Sequence, residues 1–292
     1  MKNIQNRGFK VTDLKNIKSI DLSSTTIIGT SISFIWSIIF VILLIIALSS
    51  ILGRFDIGFG IIGIGIIFGT IILNISQFFG ISFLYNLLIK KMKNVQVNIE
   101  DTDKITEISL SSLALIVGVI SLIISIIVFP LIFLILSFIP IIIQFLQALS
   151  LQGFAWLVFP MNLVLTPLFI LNAFVIVFVL TAVGAFIFNK VSPFLGGLKV
   201  SLSKEGNLTK IDSIEPKSAG IITGIICLIY GLLYWLLFSV VSGNLPNNLI
   251  LIAGLAVGGL VGGFIYGDLS SVLYNLFAKK LDPVKLELET LE

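Results

Sequence analysis

Six long stretches of this sequence contain no charged residue, and this feature most limits what the chain can fold into. A helix needs roughly 20 apolar residues to cross the hydrocarbon core of a bilayer, which is about 30 Å thick. Each stretch is close to that length or longer, and 57% of all residues are hydrophobic against 11% charged. The sequence therefore predicts an integral membrane protein with six transmembrane helices, at about residues 27–52, 57–79, 113–138, 163–188, 219–241 and 249–266.

The uncharged region between Glu107 and Lys190 is long enough for one more helix than the two assigned to it. A third span would place the lysine-rich segments before and after it on opposite sides of the membrane, whereas such segments sort to the cytoplasmic side. Residues 139–160 contain three glutamines and Trp156, which suit the headgroup region. We therefore predict that residues 139–160 are re-entrant or interfacial.

Positive charge is distributed very unevenly along the chain. All but one of the 18 lysine and arginine residues precede the first span, follow the sixth, or lie between spans 2 and 3 or spans 4 and 5. Because such residues stay on the cytoplasmic side, both termini are predicted to be cytoplasmic in a multi-pass protein of the cell membrane. The first 26 residues are polar and contain lysines without an apolar core, so we expect no cleavable signal peptide.

Two sequence signatures each occur three times. The first, I-x-x-I-x-[LP]-x-S, begins at Ile17, Ile105 and Ile211. The second is an aromatic residue followed by asparagine near the end of every second span, at Tyr85-Asn86, Phe188-Asn189 and Tyr274-Asn275. Two spans separate the signatures each time, which predicts three tandem two-helix units at residues 1–100, 101–206 and 207–292. The aromatic–asparagine pairs are interpreted as interfacial anchors and helix-end caps.

Each aromatic–asparagine pair is followed by a segment in which apolar and polar residues alternate, beginning at Val95, Leu198 and Val284. Alternation with period two is typical of half-buried strands. Two of these segments run through a polar turn into the next I-x-x-I signature, which predicts hairpins. The predicted fold class is an all-α polytopic membrane protein with short cytoplasmic strands that form a small sheet layer. We further hypothesise that the first and last strands pair near Ile20 and Leu286 and close a ring.

The middle unit resembles a family of small two-span membrane proteins of unknown function found in prokaryotes. The resemblance rests on Gly184-Ala-Phe-Ile-Phe-Asn189, followed by Leu195-Gly-Gly-Leu-Lys-Val-Ser-Leu202. Residues 211–218 are similar to the opening segment of that family. Units 1 and 3 depart from it, with Lys93-Asn94 and Asp282-Pro283 in place of the Gly-Gly pair. The resemblance implies three tandem copies of a two-span fold and no particular activity.

Asp268, two residues beyond the predicted end of the sixth span, is the only candidate for an ionisable side chain within a span. If the sixth span continues unbroken to Lys279, Asp268 lies roughly 16 Å from that lysine along the helix axis and is a candidate proton or cation site. If the helix breaks at Gly267, residues 268–280 form an amphipathic helix at the interface. The second interpretation is favoured.

Glycines recur at four-residue spacing in several spans, which allows helix backbones to approach closely in lipid. We predict that they pack helices within one subunit, with pore lining or oligomer contact as the alternative. In span 6 they form two offset series, and span 2 has one pair: Gly254, Gly258 and Gly262; Gly259, Gly263 and Gly267; and Gly65 and Gly69.

Residues that carry out chemistry are scarce. The sequence has no histidine, one cysteine inside a span and no clustered carboxylates within the spans. We therefore expect no enzyme, no catalytic residues, no cofactor and no metal site. The favoured function is a non-catalytic scaffold or accessory subunit of a membrane complex, with protein partners or copies of itself and no nucleic acid. The alternative is a channel or transporter subunit for a small ion or solute, with pseudo-threefold helix packing.

Overall fold

The computed structural model describes residues 12–100, 103–136, 169–242 and 249–290. In this part of the chain lie six helices, each long and apolar enough to cross a membrane, and they overlap the six predicted spans. The predicted re-entrant or interfacial segment, 139–160, lies outside the described residues. The helices are α1 (Leu22–Leu52), α2 (Ile57–Leu88), α3 (Leu110–Leu136), α4 (Phe169–Val191), α5 (Pro216–Ser242) and α6 (Leu249–Lys280).

The strands form a closed barrel, so the predicted all-α class with a small sheet layer is wrong. Each strand is antiparallel to its neighbours in chain order, and the last pairs with the first. Closure leaves no unpaired sheet edge, which an open layer of six strands would have. The strands are β1 (Thr12–Ile20), β2 (Val95–Glu100), β3 (Lys104–Ile108), β4 (Leu198–Glu205), β5 (Leu208–Ile214) and β6 (Lys285–Thr290).

The hypothesis that the chain ends close a ring is confirmed. Strand β1 pairs with β6, and Ile20 lies opposite Leu286. The period-two pattern predicts the closing strands β2, β4 and β6, and the predicted hairpins pair β2 and β4 with the I-x-x-I segments that follow them. The I-x-x-I segments themselves do not alternate strictly. They supply the other half of the barrel, as β1, β3 and β5.

A β-bulge explains why these opening strands read I-x-x-I. In each, one residue has no opposite partner, so the pairing register shifts by one. Side chains of a regular strand alternate between faces, so residues three apart would point to opposite sides. An extra residue between them restores both isoleucines to the same face and increases the local twist. The bulged residues are Lys18, Thr106 and Asp212.

The barrel is filled by its own apolar side chains. Val95, Val97 and Ile99 alternate along β2 and are all buried, as is Val200 of β4. Ile99 lies at the end of β2 remote from the helices, opposite Ile105 of β3. This is the packing expected of a barrel with few strands, whose interior is just wide enough for side chains.

The helices pack chiefly as three antiparallel pairs, α1 with α2, α3 with α4, and α5 with α6. The pair α5/α6 also meets α1, where the indole Nε1 of Trp36 donates a hydrogen bond to Ser270 Oγ over 2.9 Å. The rings of Trp36 and Tyr266 lie 5.0 Å apart at the same contact. The first and last units are therefore joined in the helical layer as well as in the barrel.

Candidate functional site

The helices meet the barrel at three equivalent asparagine bridges. In each, the side-chain Oδ1 accepts a hydrogen bond from the backbone N–H of an isoleucine, and Nδ2 donates to the C=O of the same isoleucine, all at 2.8 Å. That isoleucine is the last residue of the opening strand in the same unit. The amide thus holds a strand end against the end of a membrane helix. The pairs are Asn86–Ile20, Asn189–Ile108 and Asn275–Ile214.

A hydroxyl group makes a second contact between helix and strand. In unit 1 the Tyr85 hydroxyl donates to the C=O of Ile17 over 2.9 Å. In unit 3 the Tyr274 hydroxyl donates to the C=O of Ile211. Both tyrosines are buried and point into the barrel junction, so their polar ends satisfy backbone carbonyls of the strand. The interpretation of these pairs as interfacial anchors and helix caps therefore missed their main contacts.

Unit 2 makes the same contact with a different residue. Phe188 has no hydroxyl, and the C=O of Ile105 instead accepts a hydrogen bond from Ser192 Oγ over 3.0 Å. Ser192 is fully buried, one helical turn beyond Phe188. The sequence analysis does not identify Ser192. The signal that could have found it is Phe188, which lacks the hydroxyl of the tyrosines at the equivalent positions and so requires another hydroxyl group nearby.

Backbone hydrogen bonds connect each unit to the next around the ring. The residue that precedes each opening helix donates its N–H to a carbonyl of the preceding unit's closing strand, and unit 3 closes onto unit 1 in the same way. We call these contacts, together with the asparagine bridges and the hydroxyl contacts, the collar. The donor–acceptor pairs are Asp21–Lys285 at 3.0 Å, Ser109–Gln96 at 2.8 Å and Glu215–Lys199 at 2.9 Å.

Ion pairs link neighbouring strands on the outer surface of the barrel. The Glu205 carboxylate lies 2.9 Å from Lys210 Nζ and 3.1 Å from Lys285 Nζ, which links β4 to β5 and β6. The hydrogen bond from Lys210, followed by that from Lys285, holds the pKa of Glu205 below its ordinary value. Hydrogen bonds to Asp282 and then to Glu205 raise the pKa of Lys285. These exposed pairs stabilise the barrel only modestly, because water and salt screen them.

Asp268 lies on a continuous helix. Helix α6 passes through Gly267 to Lys280 without a break, so residues 268–280 continue α6, in contrast to the favoured interpretation of a separate interfacial helix. Asp268 is half-buried, and exposed Ile265 and Val272 lie one turn before and after it on the same face. Its carboxylate makes no hydrogen bond or ion pair with any residue that the structure describes. The depth of Asp268 in a bilayer remains a prediction.

The glycines of α6 lie on two faces of the helix, one packed against α5 and one open. A Cβ added at one set would come within 3.0 Å of atoms of α5, so α5 and α6 are in close backbone contact there. A Cβ added at the other set, or at the glycine pair of α2, would meet nothing within 4 Å. The first set is Gly259, Gly263 and Gly267; the second is Gly254, Gly258 and Gly262, with Gly65 and Gly69 in α2.

An open cavity of about 490 Å³ lies beside the collar, between the end of α6 and strands β4 and β5. Its lining mixes both signs of charge with hydroxyl groups. Among the described residues, no group of three or more histidine, cysteine, aspartate or glutamate side chains could hold a metal ion. The lining includes Ser203, Lys210, Asp212, Ser213, Asn275 and Lys279.

These features define an integral membrane protein whose apolar helices are joined through a hydrogen-bonded collar to a small closed barrel. Residues 92–204 match the family model described as a transmembrane domain of unknown function, DUF3566. The match runs from just before β2 into β4 and therefore includes α3, α4 and the unit 2 part of the collar. For this region, the predicted resemblance to a transmembrane family of unknown function is confirmed. Comparison with curated proteins finds no match, and neither does comparison with solved structures.

Proposed function

We propose that this protein is a non-catalytic scaffold or accessory subunit of a membrane complex, which presents its barrel to partners at one face of the membrane. The collar is the observation that supports this role most directly. It connects every helix pair to the barrel through paired hydrogen bonds from an asparagine side chain to the strand backbone, so the barrel has a fixed position on the membrane part. A small closed barrel that carries ion pairs on its surface suits a platform for binding.

We propose that the chain consists of three tandem copies of a prokaryotic two-span unit. Support comes from the bulges, the asparagine bridges and the backbone contacts between units, each of which recurs three times at equivalent positions. We also propose that both termini and the barrel are on the cytoplasmic side of the cell membrane. The lysine distribution supports this orientation, because most lysines lie on the barrel or near it.

A channel or transporter subunit is the second candidate. The threefold recurrence of the collar favours it, because rings of equivalent helix pairs can enclose a path across a membrane. The filled barrel argues against a path along the axis, since an ion would have to pass the buried side chains of Val95, Val97 and Ile99. The scaffold role therefore accounts for more of the structure.

Purification from native membranes in a mild detergent tests the scaffold proposal. A second protein should co-purify in constant ratio with the tagged chain and be absent from a parallel purification of an unrelated tagged six-span protein. Reconstitution of the pure chain into liposomes, with a panel of ion and solute flux assays, tests the alternative. Flux through the pure chain, without any co-purifying protein, would contradict the scaffold proposal and support the channel.

A further inference from the structure

A short turn after α4 is built to hold one aromatic side chain outward. The 3-10 turn Pro193–Leu195 follows the helix, and the C=O of Ser192 accepts hydrogen bonds from the N–H groups of Leu195 and Gly197. Gly196 and Gly197 have φ angles of 81° and 83°, which residues with a side chain rarely adopt. With Ser192 fixed in the collar, this turn gives Phe194 a defined position.

Phe194 is 90% exposed, the largest exposed fraction among the large apolar side chains of the described residues. Leu195, the next residue, and Phe186, about two helical turns earlier in α4, are also exposed, and Lys190 Nζ lies 5.9 Å from the centre of the Phe186 ring. A phenylalanine in water forfeits the free energy of burial, and clustered exposed apolar side chains usually mark a binding surface. The turn is also continuous with an apolar membrane span, which extends to Leu195.

The equivalent positions in the other two units indicate what this surface contacts. Five residues beyond the collar asparagine, unit 1 has Lys91, unit 2 has Phe194 and unit 3 has Lys280, and all three are exposed. Lysines at the ends of membrane helices extend toward the lipid headgroups. The position therefore lies at the level of the bilayer surface, where an exposed aromatic ring contacts the boundary between headgroups and acyl chains.

We propose that the turn Pro193–Leu195 anchors the barrel to the membrane surface, with Phe194 inserted into the leaflet on the barrel side and Lys190 at the lipid phosphates. The binding partner is a phospholipid leaflet rather than another protein. This anchor belongs to unit 2 alone, since units 1 and 3 contact the same level through a lysine. The inference does not depend on whether the protein is a scaffold or a channel.

Site-specific labelling tests this anchor. In a Cys227→Ala background, which removes the sole native cysteine, Phe194→Cys is labelled with the fluorophore NBD and the protein is reconstituted into permeabilised phosphatidylcholine–phosphatidylglycerol vesicles. Lipids with a nitroxide near the headgroup should strongly quench the NBD emission, and dithionite in the water should reduce the label slowly. Circular dichroism and a monodisperse elution profile establish that the labelled variant is folded.

The matched control is Asn207→Cys in the turn between β4 and β5, at the opposite end of the barrel. The eight residues of β4 separate the two sites by about 26 Å along the strand, since a strand rises about 3.3 Å per residue. A label at position 207 should show weak nitroxide quenching and fast reduction. Weak nitroxide quenching at position 194 would overturn the proposal, whether dithionite reduces the label quickly, as it does in water, or slowly, as it does beneath a protein surface.

Discussion

In unit 2 a serine hydroxyl makes the contact that a tyrosine hydroxyl makes in units 1 and 3, and this difference leads to a quantitative prediction. Ser192 is fully buried, and its Oγ donates to the C=O of Ile105. In Ser192→Ala this carbonyl loses a hydrogen bond that water cannot replace, and such a loss costs about 1–3 kcal/mol. We expect a decrease of about 2 kcal/mol in the free energy of unfolding, which is roughly a 30-fold decrease in the ratio of folded to unfolded protein.

A second substitution should restore the lost contact. Phe188 occupies the position from which Tyr85 and Tyr274 donate to the equivalent carbonyls in units 1 and 3. The double variant Phe188→Tyr/Ser192→Ala therefore supplies a hydroxyl from the neighbouring helical turn. We expect it to be more stable than Ser192→Ala alone, with a coupling free energy of about 1 kcal/mol or more between the two sites.

Unfolding with sodium dodecyl sulfate in mixed micelles, followed by circular dichroism, measures these differences. Ser203→Ala on the exposed face of β4 is the matched control and should change the free energy of unfolding by less than about 0.5 kcal/mol. Tyr85→Phe should cause a loss similar to that of Ser192→Ala. The reasoning is refuted if Ser192→Ala behaves like the surface control, or if Phe188→Tyr gives no recovery in the double variant.

Three further predictions concern the barrel surface and α6. The pKa of Glu205 is lowered in the folded state, so this carboxylate stabilises the fold at pH values above its ordinary pKa. That stabilisation is lost as the pH falls through the pKa of the folded state. Melting curves of Glu205→Gln should therefore lack this dependence on acid pH. Gly259→Ala should destabilise the α5/α6 pair, because its Cβ would lie 2.6 Å from the Cys227 carbonyl oxygen, whereas Gly258→Ala should be neutral or stabilising by up to about 1 kcal/mol in the same unfolding assay. Asp268→Asn should preserve expression and folding, and a selective loss of ion flux in liposomes would instead make Asp268 a transport site.

The sequence by itself determined the membrane class, the six apolar helices in the described part of the chain and the alternating strands β2, β4 and β6. These properties depend on local patterns, namely apolar length and period-two alternation, which do not require knowledge of distant contacts. The repeated aromatic–asparagine pairs and I-x-x-I segments also marked where the collar lies, although not what it does.

Only the tertiary structure decided how those segments combine. Whether I-x-x-I forms a bulged strand depends on a partner strand that, for β1, lies at the other end of the chain. The role of Ser192 depends on which carbonyl its hydroxyl reaches, and the glycines of α6 differ only in whether α5 lies beside them. Such contacts join residues far apart in sequence, so the periodicity of one segment contains no information about them.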